Sequence, residues 1–427
     1  MKKFISLLMA AALIFAIVAC GAEGAGDSGS ANKEDSGGQA GSGAPGGDSS
    51  GSAGGDAAHI LRVWASQDDQ DLTKDLINKF IAANPQYSVS IELGVVGEPD
   101  AFARFSEDPA AAADVFFFPD DQLRNFVRAG GLYEISRNVD DIIARNGDGS
   151  IRAASLNGTL YAYPATADNG YFLYYDKSVL SAEDVKSLDR ILEVSEAAGK
   201  GFQFDIGNGW YIAAFFLGAG GTLSVTDDGK QICDFNNANG LGAAKAIQAL
   251  TAHPAFLNGN DDVLRNGLGG SVAAGVSGTW VADDVAAALG SNYAATKLPT
   301  FTKDGQQVQM SSFGGYKLVG VNAMIDDIEK LVIAMDFADF LTNEESQITR
   351  FEERAMGPSN TSASANPAIM ENVALAALAA QSAYAATQGD VLGEYWVPAG
   401  AFGTAMANGD TTPLQQLLDT MVAQITS

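Results

Sequence analysis

Aromatic side chains and carboxylates occur together in this sequence where predicted strands end. The clearest case is Phe118-Pro119-Asp120-Asp121, at the end of the apolar run that begins at Asp114. A sugar presents apolar C–H faces and dense hydroxyl groups, so a site for it needs flat aromatic surfaces together with carboxylates or amides. Loops after strands are also where α/β proteins bind ligands. The pattern predicts a carbohydrate-binding site.

Three further aromatic stretches are candidates for the same site. Trp280 follows Ser277-Gly278-Thr279, Trp210 and Tyr211 open an apolar helix, and Tyr395-Trp396 lies in a Gly- and Pro-flanked loop. Each of these aromatic residues could instead belong to the core. Asp120 and Asp121 could likewise be a helix N-cap pair. The residues alone leave both alternatives open.

The segment from Leu156 to Asp176 has two aromatic, β-rich runs with a break of small and polar residues between them. The break, Ala165 to Gly170, contains one carboxylate, Asp168. A strand that leaves one lobe and enters a second lobe would be interrupted in this way, because hinges are short segments that absorb backbone rotation. Asp168 could contact a ligand there, or it could cap or solvate the crossing.

Several other site chemistries are excluded by spacing. His59 and His253 are isolated, so a His-based metal site is not expected. Asn146-Gly147-Asp148-Gly149 resembles part of a calcium loop, but Ala144 and Ser155 at its first and twelfth positions have no carboxylates. No nucleophile elbow, phosphate loop or zinc spacing is present. We therefore expect no metal and no cofactor.

An enzyme is the main rival class. A glycoside hydrolase would need two carboxylates at a defined separation. Asp120, Asp121, Asp168 and Glu394 are available, but no motif sets their separation. A surface starch-binding protein or sensor is a third alternative.

The N-terminus predicts export. Lys2 and Lys3 precede an apolar run from Phe4 to Ala19, which is too short for a spanning helix and typical of a signal peptide. Ile17-Val18-Ala19-Cys20 resembles the bacterial lipobox, which implies cleavage before Cys20 and lipidation of its thiol. Residues 21–57, mostly Gly, Ser, Ala and Asp, predict a disordered tether with a reach of roughly 35 Å.

Charge and cysteine content narrow the partners. The net charge is −27, from 25 basic and 52 acidic residues, which argues against a nucleic-acid partner. Cys233 is the only cysteine besides Cys20, and we expect it to be a buried apolar residue.

Residues 58–427 are long enough for two domains. Alternating and apolar runs predict strands at Ile60–Trp64, Val89–Leu93 and Asp114–Phe118, with a helix from Asp71 between the first two. This order favours an α/β lobe with a largely parallel sheet. Candidate crossings near Ala167, Gly314 and Ser362 would make both lobes discontinuous.

Taken in order, these residues resemble the extracellular solute-binding proteins of sugar ABC importers, in the maltose/maltodextrin-binding branch. The segments that carry the resemblance are short but collinear: Asp114–Phe117, Asn157–Pro164, Tyr174–Leu180, Ser277–Trp280, Lys297–Phe301 and Gly320–Asn322. The resemblance implies an α/β, two-lobed periplasmic-binding-protein-like fold whose lobes are joined by crossing hinge segments and close on a sugar.

The resemblance also assigns residues. It places polar ligand contacts at Asp68 and Asp69, and an acidic hinge position at Asp168. It places aromatic stacking positions at Phe118, Trp210 and Trp280, and a hydroxyl-binding carboxylate in the loop Pro119–Asp121. The family's last aromatic position falls on Gly403, and we expect Tyr395 and Trp396 to replace it.

Together these observations predict a lipid-anchored, monomeric binding protein on the extracellular face of the membrane of a Gram-positive bacterium. It would bind malto-oligosaccharides or another oligosaccharide without catalysis and deliver them to the permease of an ABC importer. The expected boundaries are residues 1–19 for the signal peptide and 20–57 for the tether. The N-terminal lobe would comprise 58–167 with 319–362, and the C-terminal lobe 168–318 with 363–427.

Overall fold

The computed structural model describes residues 58–226 and 229–427. The predicted signal peptide, Cys20 and the tether therefore lie outside the described residues. So do Asp227 and Asp228 of a predicted hairpin turn.

The first lobe is built on a mixed sheet. Its strands follow the order β17-β16-β3-β1-β2, and β6 pairs with β16. The pairs of β1 with β2 and with β3 are parallel, whereas β16 runs antiparallel to β3 and β6. The strands of this sheet are β1 (His59–Ala65), β2 (Val89–Val95), β3 (Val115–Pro119), β6 (Ala162–Gly170), β16 (Ser312–Val321) and β17 (Ala385–Thr387). A separate two-stranded sheet is formed by β4 (Ser155–Leu156) and β5 (Thr159–Leu160).

The second lobe is built on a five-stranded sheet of order β11-β8-β12-β7-β13. Here β8 pairs in parallel with β11 and β12, and β7 runs antiparallel to β12 and β13. The strands are β7 (Phe172–Asp176), β8 (Gly201–Phe204), β11 (Phe256–Asn258), β12 (Val272–Ser277) and β13 (Tyr293–Thr296), with hairpins β9 (Leu223–Val225) to β10 (Gln231–Cys233) and β14 (Thr300–Lys303) to β15 (Gln306–Gln309).

Helices cover both sheets. They are α1 (Gln70–Ala83), α2 (Ala101–Glu107), α3 (Leu123–Arg128), α4 (Val139–Arg145), α5 (Asp148–Ala153), α6 (Leu188–Ala197), α7 (Gly209–Gly218), α8 (Ala238–Thr251), α9 (Asp261–Gly267), α10 (Ala282–Leu289), α11 (Ile328–Leu341), α12 (Glu344–Arg354), α13 (Thr361–Ser364), α14 (Pro367–Met370), α15 (Val373–Ser382), α16 (Trp396–Ala407) and α17 (Leu414–Ile425).

Each sheet has its own apolar core. In the first lobe, Phe80 of α1 and Phe337 of α11 have ring centroids 5.0 Å apart in a core that includes β3, whose residues are all buried. In the second, α7 is apolar on every side and is covered in turn by α16, with Phe216 against Phe402. A strand or helix that is hydrophobic all round needs neighbours on both sides, and the layered arrangement supplies them. Cys233 is buried in this second core, as expected.

The chain crosses between the lobes along β6 and β16. All five strands of the second sheet therefore lie, in the sequence, between two strands of the first sheet. This confirms two discontinuous α/β lobes. A third segment, Met356 to Pro358, runs beside β6: the Ala167 N–H donates to the Gly357 carbonyl oxygen at 2.9 Å. The residue boundaries of the lobes stay a prediction.

The expected break in strand structure at Ala165 to Gly170 was wrong. β6 continues through these residues because β16 pairs with them, Gly314 opposite Gly170 and Lys317 opposite Thr166, with shifts in register. The interruption falls one residue later, at Tyr171, between β6 and β7. The first sheet is also mixed rather than largely parallel, because β16 enters it from the opposite direction.

Within the part of the chain that the structure describes, no helix is long and apolar enough to span a bilayer.

Candidate functional site

A cavity of about 790 Å³ lies where loops from both sheets meet. From the first lobe come the turns after β1 and β3, and from the second lobe the turns after β8 and β12. These are carboxyl ends of strands, where loop side chains converge on ligands. The wall-forming polar and aromatic residues include Asp68, Asp69, Glu98, Asp121, Asn169, Trp210, Tyr211, Asp261, Trp280, Lys317, Arg354, Gln388 and Trp396. We call this cavity the cleft.

Trp210 and Trp280 form one aromatic surface in the cleft. Their ring centroids are 5.8 Å apart and the planes are inclined by 42°. The indole N–H of Trp280 donates to Oδ2 of Asp261 at 2.7 Å, and that of Trp210 donates to Oε1 of Gln388 at 2.8 Å. With both N–H groups bound to protein, the rings offer their faces to a ligand.

The Trp280 ring folds back over its own backbone. A Cβ at Gly278 would lie 2.0 Å from the six-membered ring of Trp280, so only glycine allows this orientation. The Gly before the Trp is therefore part of the platform. A side chain at position 278 would push the indole out of the cleft.

Trp396 and Tyr211 also line the cleft, but Tyr395 does not. Tyr395 is completely buried, and its hydroxyl donates to the Gly209 carbonyl oxygen at 3.0 Å. The expectation for this aromatic pair is thus corrected for Tyr395, which packs in the second-lobe core. Position 403 cannot carry an aromatic ring, since a Cβ there would lie 1.7 Å from the carbonyl oxygen of Ile206.

Phe118 lies in the core of the first lobe, which corrects the expectation that it stacks on a ligand. It is fully buried, with its ring centroid 4.8 Å from that of Phe126 and 5.9 Å from that of Phe116. Because β3 is covered on both faces, the aromatic residue at its end turns inward rather than toward the cleft.

Asp120 and Asp121 point to different environments. Asp121 lines the cleft, and its Oδ1 accepts a 2.7 Å hydrogen bond from Gln388. Burial raises the pKa of Asp121 to about 7, although the Gln388 bond opposes this shift. Asp120 lies behind it: burial first, and then the neighbouring Asp121, raise the pKa of Asp120 well above its usual range. Only Asp121 can face a ligand.

Asp68 and Asp69 both reach the cleft and both meet Arg354. Nε of Arg354 lies 3.0 Å from Oδ1 of Asp69, and Nη2 lies 3.7 Å from Oδ2 of Asp68. Asp68 also faces Arg265 of the second lobe at 3.5 Å, and Arg265 in turn pairs with Asp284. The Asp68–Arg265 ion pair therefore connects the two lobes at this rim of the cleft.

Asp168 does not line the cleft. Its Oδ2 accepts hydrogen bonds from the Thr279 hydroxyl and from the Gly357 N–H, each at 2.8 Å. The carboxylate thus links β6 to the third crossing segment and to the residue before Trp280. Of the two alternatives for Asp168, its placement favours a role inside the crossing over ligand contact.

The cleft residues that the sequence reasoning missed include Lys317, Arg354, Asp261 and Gln388. Lys317 was the most visible, because it is a single cation in the apolar run that becomes β16. Burial lowers the pKa of Lys317, but the negative charges of Glu98, Asp69 and Asp168 raise it by more than burial lowers it. The net pKa is raised, so the ammonium group stays charged. Its Nζ lies 3.3 Å from Glu98 and 5.9 Å from the Trp280 ring centroid.

Among the described residues no group of three His, Cys, Asp or Glu side chains is arranged to hold a metal ion.

Comparison with known proteins identifies the family. The model for the family described as "Bacterial extracellular solute-binding protein" matches residues 75–377. The chain belongs to this family. The family resemblance drawn from the sequence is thereby confirmed.

This solute-binding protein has relatives among characterised proteins. It is 27% identical to the galactooligosaccharide-binding protein of Bacillus subtilis (strain 168), over 97% of this chain and 95% of the relative. It is 26% identical to the maltotriose-binding protein of Pyrococcus abyssi (strain GE5 / Orsay), over 48% of this chain and 46% of the relative.

Solved structures share the two-lobed fold. One solved with acarbose has a TM-score of 0.78 and 28% identity, covering 86% of this chain and 98% of that chain. A maltodextrin-binding protein from L. casei BL23, solved without ligand, has a TM-score of 0.73 and 24% identity over 86% and 99% of the two chains.

Proposed function

We propose that this solute-binding protein binds malto-oligosaccharides in the cleft and delivers them to an ABC importer. The observation that carries the proposal is the Trp210–Trp280 surface beside the carboxylate of Asp121. Aromatic faces cover the C–H surface of a pyranose, and charge-assisted hydrogen bonds from ligand hydroxyls to a carboxylate fix its orientation. The cleft volume of about 790 Å³ falls in the range of pockets that enclose a whole small ligand.

Ligand binding would act through the two lobes. Trp210 and Trp280 belong to the second lobe, while Asp69 and Asp121 follow strands of the first. A ligand that contacts both sets has more favourable interactions when the lobes are close, so it favours the closed form by its differential affinity. The crossing segments around β6 and β16 are the places where such a rotation would be absorbed.

The relatives support an oligosaccharide and leave two candidates for its type. The names of the P. abyssi relative and of the L. casei structure point to α-glucans. The B. subtilis relative, which matches over 97% of this chain, points to galacto-oligosaccharides, and we keep these as the second candidate. The structure solved with acarbose, which is 28% identical to this chain, favours α-glucans.

The placement of the four carboxylates considered for a hydrolase supports binding without hydrolysis. Of the four carboxylates considered for a hydrolase, Asp120 and Asp168 are buried outside the cleft wall, and Glu394 does not line it. Asp121 is left without a partner from that set. A glycosidase needs two carboxylates flanking the scissile bond.

Export and anchoring belong to the same proposal. The lipobox-like sequence ending at Cys20 supports a lipid anchor, and residues 21–57 would tether the two lobes at the outer face of the membrane. The closed, ligand-loaded form would dock as a monomer on the permease. The family is extracellular, which agrees with this placement.

Isothermal calorimetry with maltose through maltoheptaose, galacto-oligosaccharides and glucose tests the proposal. We expect binding of α-glucans with at least tenfold preference over galacto-oligosaccharides. The reverse preference would favour the second candidate, and release of new reducing ends during incubation with maltoheptaose would contradict the binding-protein assignment. Pelleting with insoluble starch, without affinity for soluble sugars, would instead indicate a starch-binding protein.

A further inference from the structure

The side chain of Gln388 joins three separate segments at the base of the cleft. Its Nε2 donates to Oδ1 of Asp121 at 2.7 Å. Its Oε1 accepts from the indole N–H of Trp210 at 2.8 Å and from Nδ2 of Asn169 at 3.1 Å. Gln388 is 4% exposed, so these bonds are shielded from water.

The chemistry of these partners fixes the direction of each bond. An indole N–H can only donate, so the atom of Gln388 that faces Trp210 must be the amide oxygen. The amide nitrogen therefore faces Asp121, and Oδ1 of Asp121 must act as an acceptor. If Asp121 carries a proton, that proton lies on Oδ2.

In this arrangement the two oxygens of the Asp121 carboxyl group have different partners. Oδ1 is committed to Gln388, which leaves Oδ2 for a ligand hydroxyl. The pKa of Asp121 is about 7, because the increase caused by burial is larger than the decrease caused by the Gln388 bond. The bond therefore favours the ionised form. Two other acids lie close in the chain to these groups: Asp120 precedes Asp121, and Asp390 is on the same turn as Gln388.

The network also spans the lobes. Asp121 follows β3 of the first lobe, Trp210 opens α7 of the second, and Asn169 lies on the crossing strand β6. The turn that contains Gln388 packs against the turn that contains Asp121. The same turn also contacts β9 of the second lobe, so separation of the lobes must break the bonds of Gln388 to one side or to the other.

We infer that Gln388 is a positioning residue of the cleft: it holds the carboxylate of Asp121 and the indole of Trp210 in one fixed arrangement across the two lobes, with Oδ2 of Asp121 presented to the ligand. The ligand side of this inference rests on the proposed function. The positioning itself does not, because it concerns two groups that can be observed without sugar.

Two substitutions test separately the bond from Gln388 to Asp121 and the bond from Trp210 to Gln388. Gln388→Glu keeps an acceptor for Trp210 but removes the donor to Asp121 and adds a negative charge. Gln388→Met is similar in length and removes these two bonds together with the bond from Asn169. Gln381→Met is the matched control, because Gln381 is fully buried and bonded to the backbone at Leu298, away from the cleft. Circular dichroism and cooperative melting establish that each variant is folded.

The first readout is NMR of the sugar-free protein: the titration of the Asp121 carboxyl carbon and the indole N–H resonance of Trp210, assigned by its loss in Trp210→Phe. We expect both Gln388 variants to raise the Asp121 midpoint, with Gln388→Glu raising it more. We expect only Gln388→Met to shift the Trp210 resonance strongly, and Gln381→Met to change neither. An unchanged Asp121 midpoint in folded Gln388→Met overturns the inference.

The second readout is sugar affinity at pH 8, which should fall about tenfold in Gln388→Met, because the ligand loses about one well-placed hydrogen bond to Asp121. Unchanged affinity there also contradicts the inference. If no sugar binds the wild-type protein, the proposed function fails, while the NMR titrations still decide the role of Gln388.

Discussion

The indole N–H of Trp280 donates a 2.7 Å hydrogen bond to Oδ2 of Asp261, and Oδ1 of the same carboxylate accepts a 2.6 Å bond from the hydroxyl of Ser277. Both oxygens of Asp261 are thus engaged by the end of β12 and the turn that follows it. The carboxylate orients the ring and leaves its face toward the cleft.

Asp261→Ala should therefore weaken sugar binding about tenfold by releasing the ring, because a hydrogen bond to a charged group contributes roughly 1.5–3 kcal/mol. Calorimetry and the anisotropy of tryptophan emission measure this. Asp262→Ala, at the exposed neighbouring position, is the control. Equal affinity in the two variants would show that Trp280 is held by packing alone.

Trp280→Ala should reduce affinity for maltotriose by about 1–3 kcal/mol, or roughly 5- to 150-fold, as for truncation of other buried aromatic contacts in binding sites. Trp280→Phe should recover part of the loss, since it keeps an aromatic face without the N–H. Calorimetry at constant pH gives the values, and unchanged affinity in Trp280→Ala would remove this residue from the site.

Phe118→Ala should lower stability and leave affinity unchanged once the protein is folded. The ring is fully buried between Phe116 and Phe126, and truncation of a core Phe costs about 3–5 kcal/mol. Denaturant unfolding measures the cost, and calorimetry below the transition measures binding. A specific loss of affinity without loss of stability would contradict the core placement.

Asp121→Asn should change how stability depends on pH. The folded pKa of Asp121, about 7, lies above the ordinary value of 3.8, so between these values the folded state binds the proton more tightly than the unfolded chain. Its contribution to stability is complete below about pH 4, declines as the pH rises toward 7, and is constant above that. Asp121→Asn removes this decline.

The stability gained by Asp121→Asn over the wild type should accordingly increase from pH 4 to pH 7 and then level off. Urea unfolding at several pH values gives the difference directly. Asp68→Asn provides the comparison, because Asp68 is half exposed at the cleft rim. A difference that is constant with pH would mean that folding does not raise the pKa of Asp121.

The two arginines at the cleft rim should differ in importance. Arg265→Gln removes an ion pair with the exposed Asp68, and such pairs contribute only about 0–1 kcal/mol and weaken in salt. Arg354→Gln removes the 3.0 Å contact with the largely buried Asp69 and leaves that carboxylate without its cation. Thermal melting should show the larger loss for Arg354→Gln, at low and at high salt. Equal, salt-sensitive losses would contradict this ranking.

Much of the framework was predictable from the sequence. The alternation in Val89–Leu93 and the apolar run before Pro119 correspond to β2 and β3, and the helix after Asp71 corresponds to α1. The spacing of the crossings indicated two discontinuous lobes. These features follow from local hydrophobic periodicity, which a single sequence contains.

The direction in which individual side chains point was harder to predict. Phe118 and Asp121 are three residues apart, yet one faces the core and the other the cleft, because β3 is buried on both faces and its pattern does not mark a solvent side. Tyr395 and Trp396 are adjacent, and the turn that begins α16 points them in different directions. Only the packing of the second lobe decides which of the two is exposed.

The polar residues that orient the site could not be found from the sequence. Gln388 lies 178 positions from Trp210, and Asp261 lies 19 positions from Trp280. Each is an ordinary polar residue in its local context, and its role arises from contacts between segments that come together only in the folded chain. Of these missed residues, only Lys317 was detectable from its local sequence, because it is a cation within an apolar strand.

The occupied N–H groups of Trp210 and Trp280 have a consequence for selectivity. An indole ring whose only polar group is already bonded to protein can stack on a pyranose. It cannot distinguish an axial from an equatorial hydroxyl by hydrogen bonding. Discrimination between epimers must then come from the polar residues of the cleft, among them Asp69, Asp121 and Lys317. Variants of the aromatic wall should bind all accepted sugars more weakly, whereas variants of the charged wall should change which sugar is preferred.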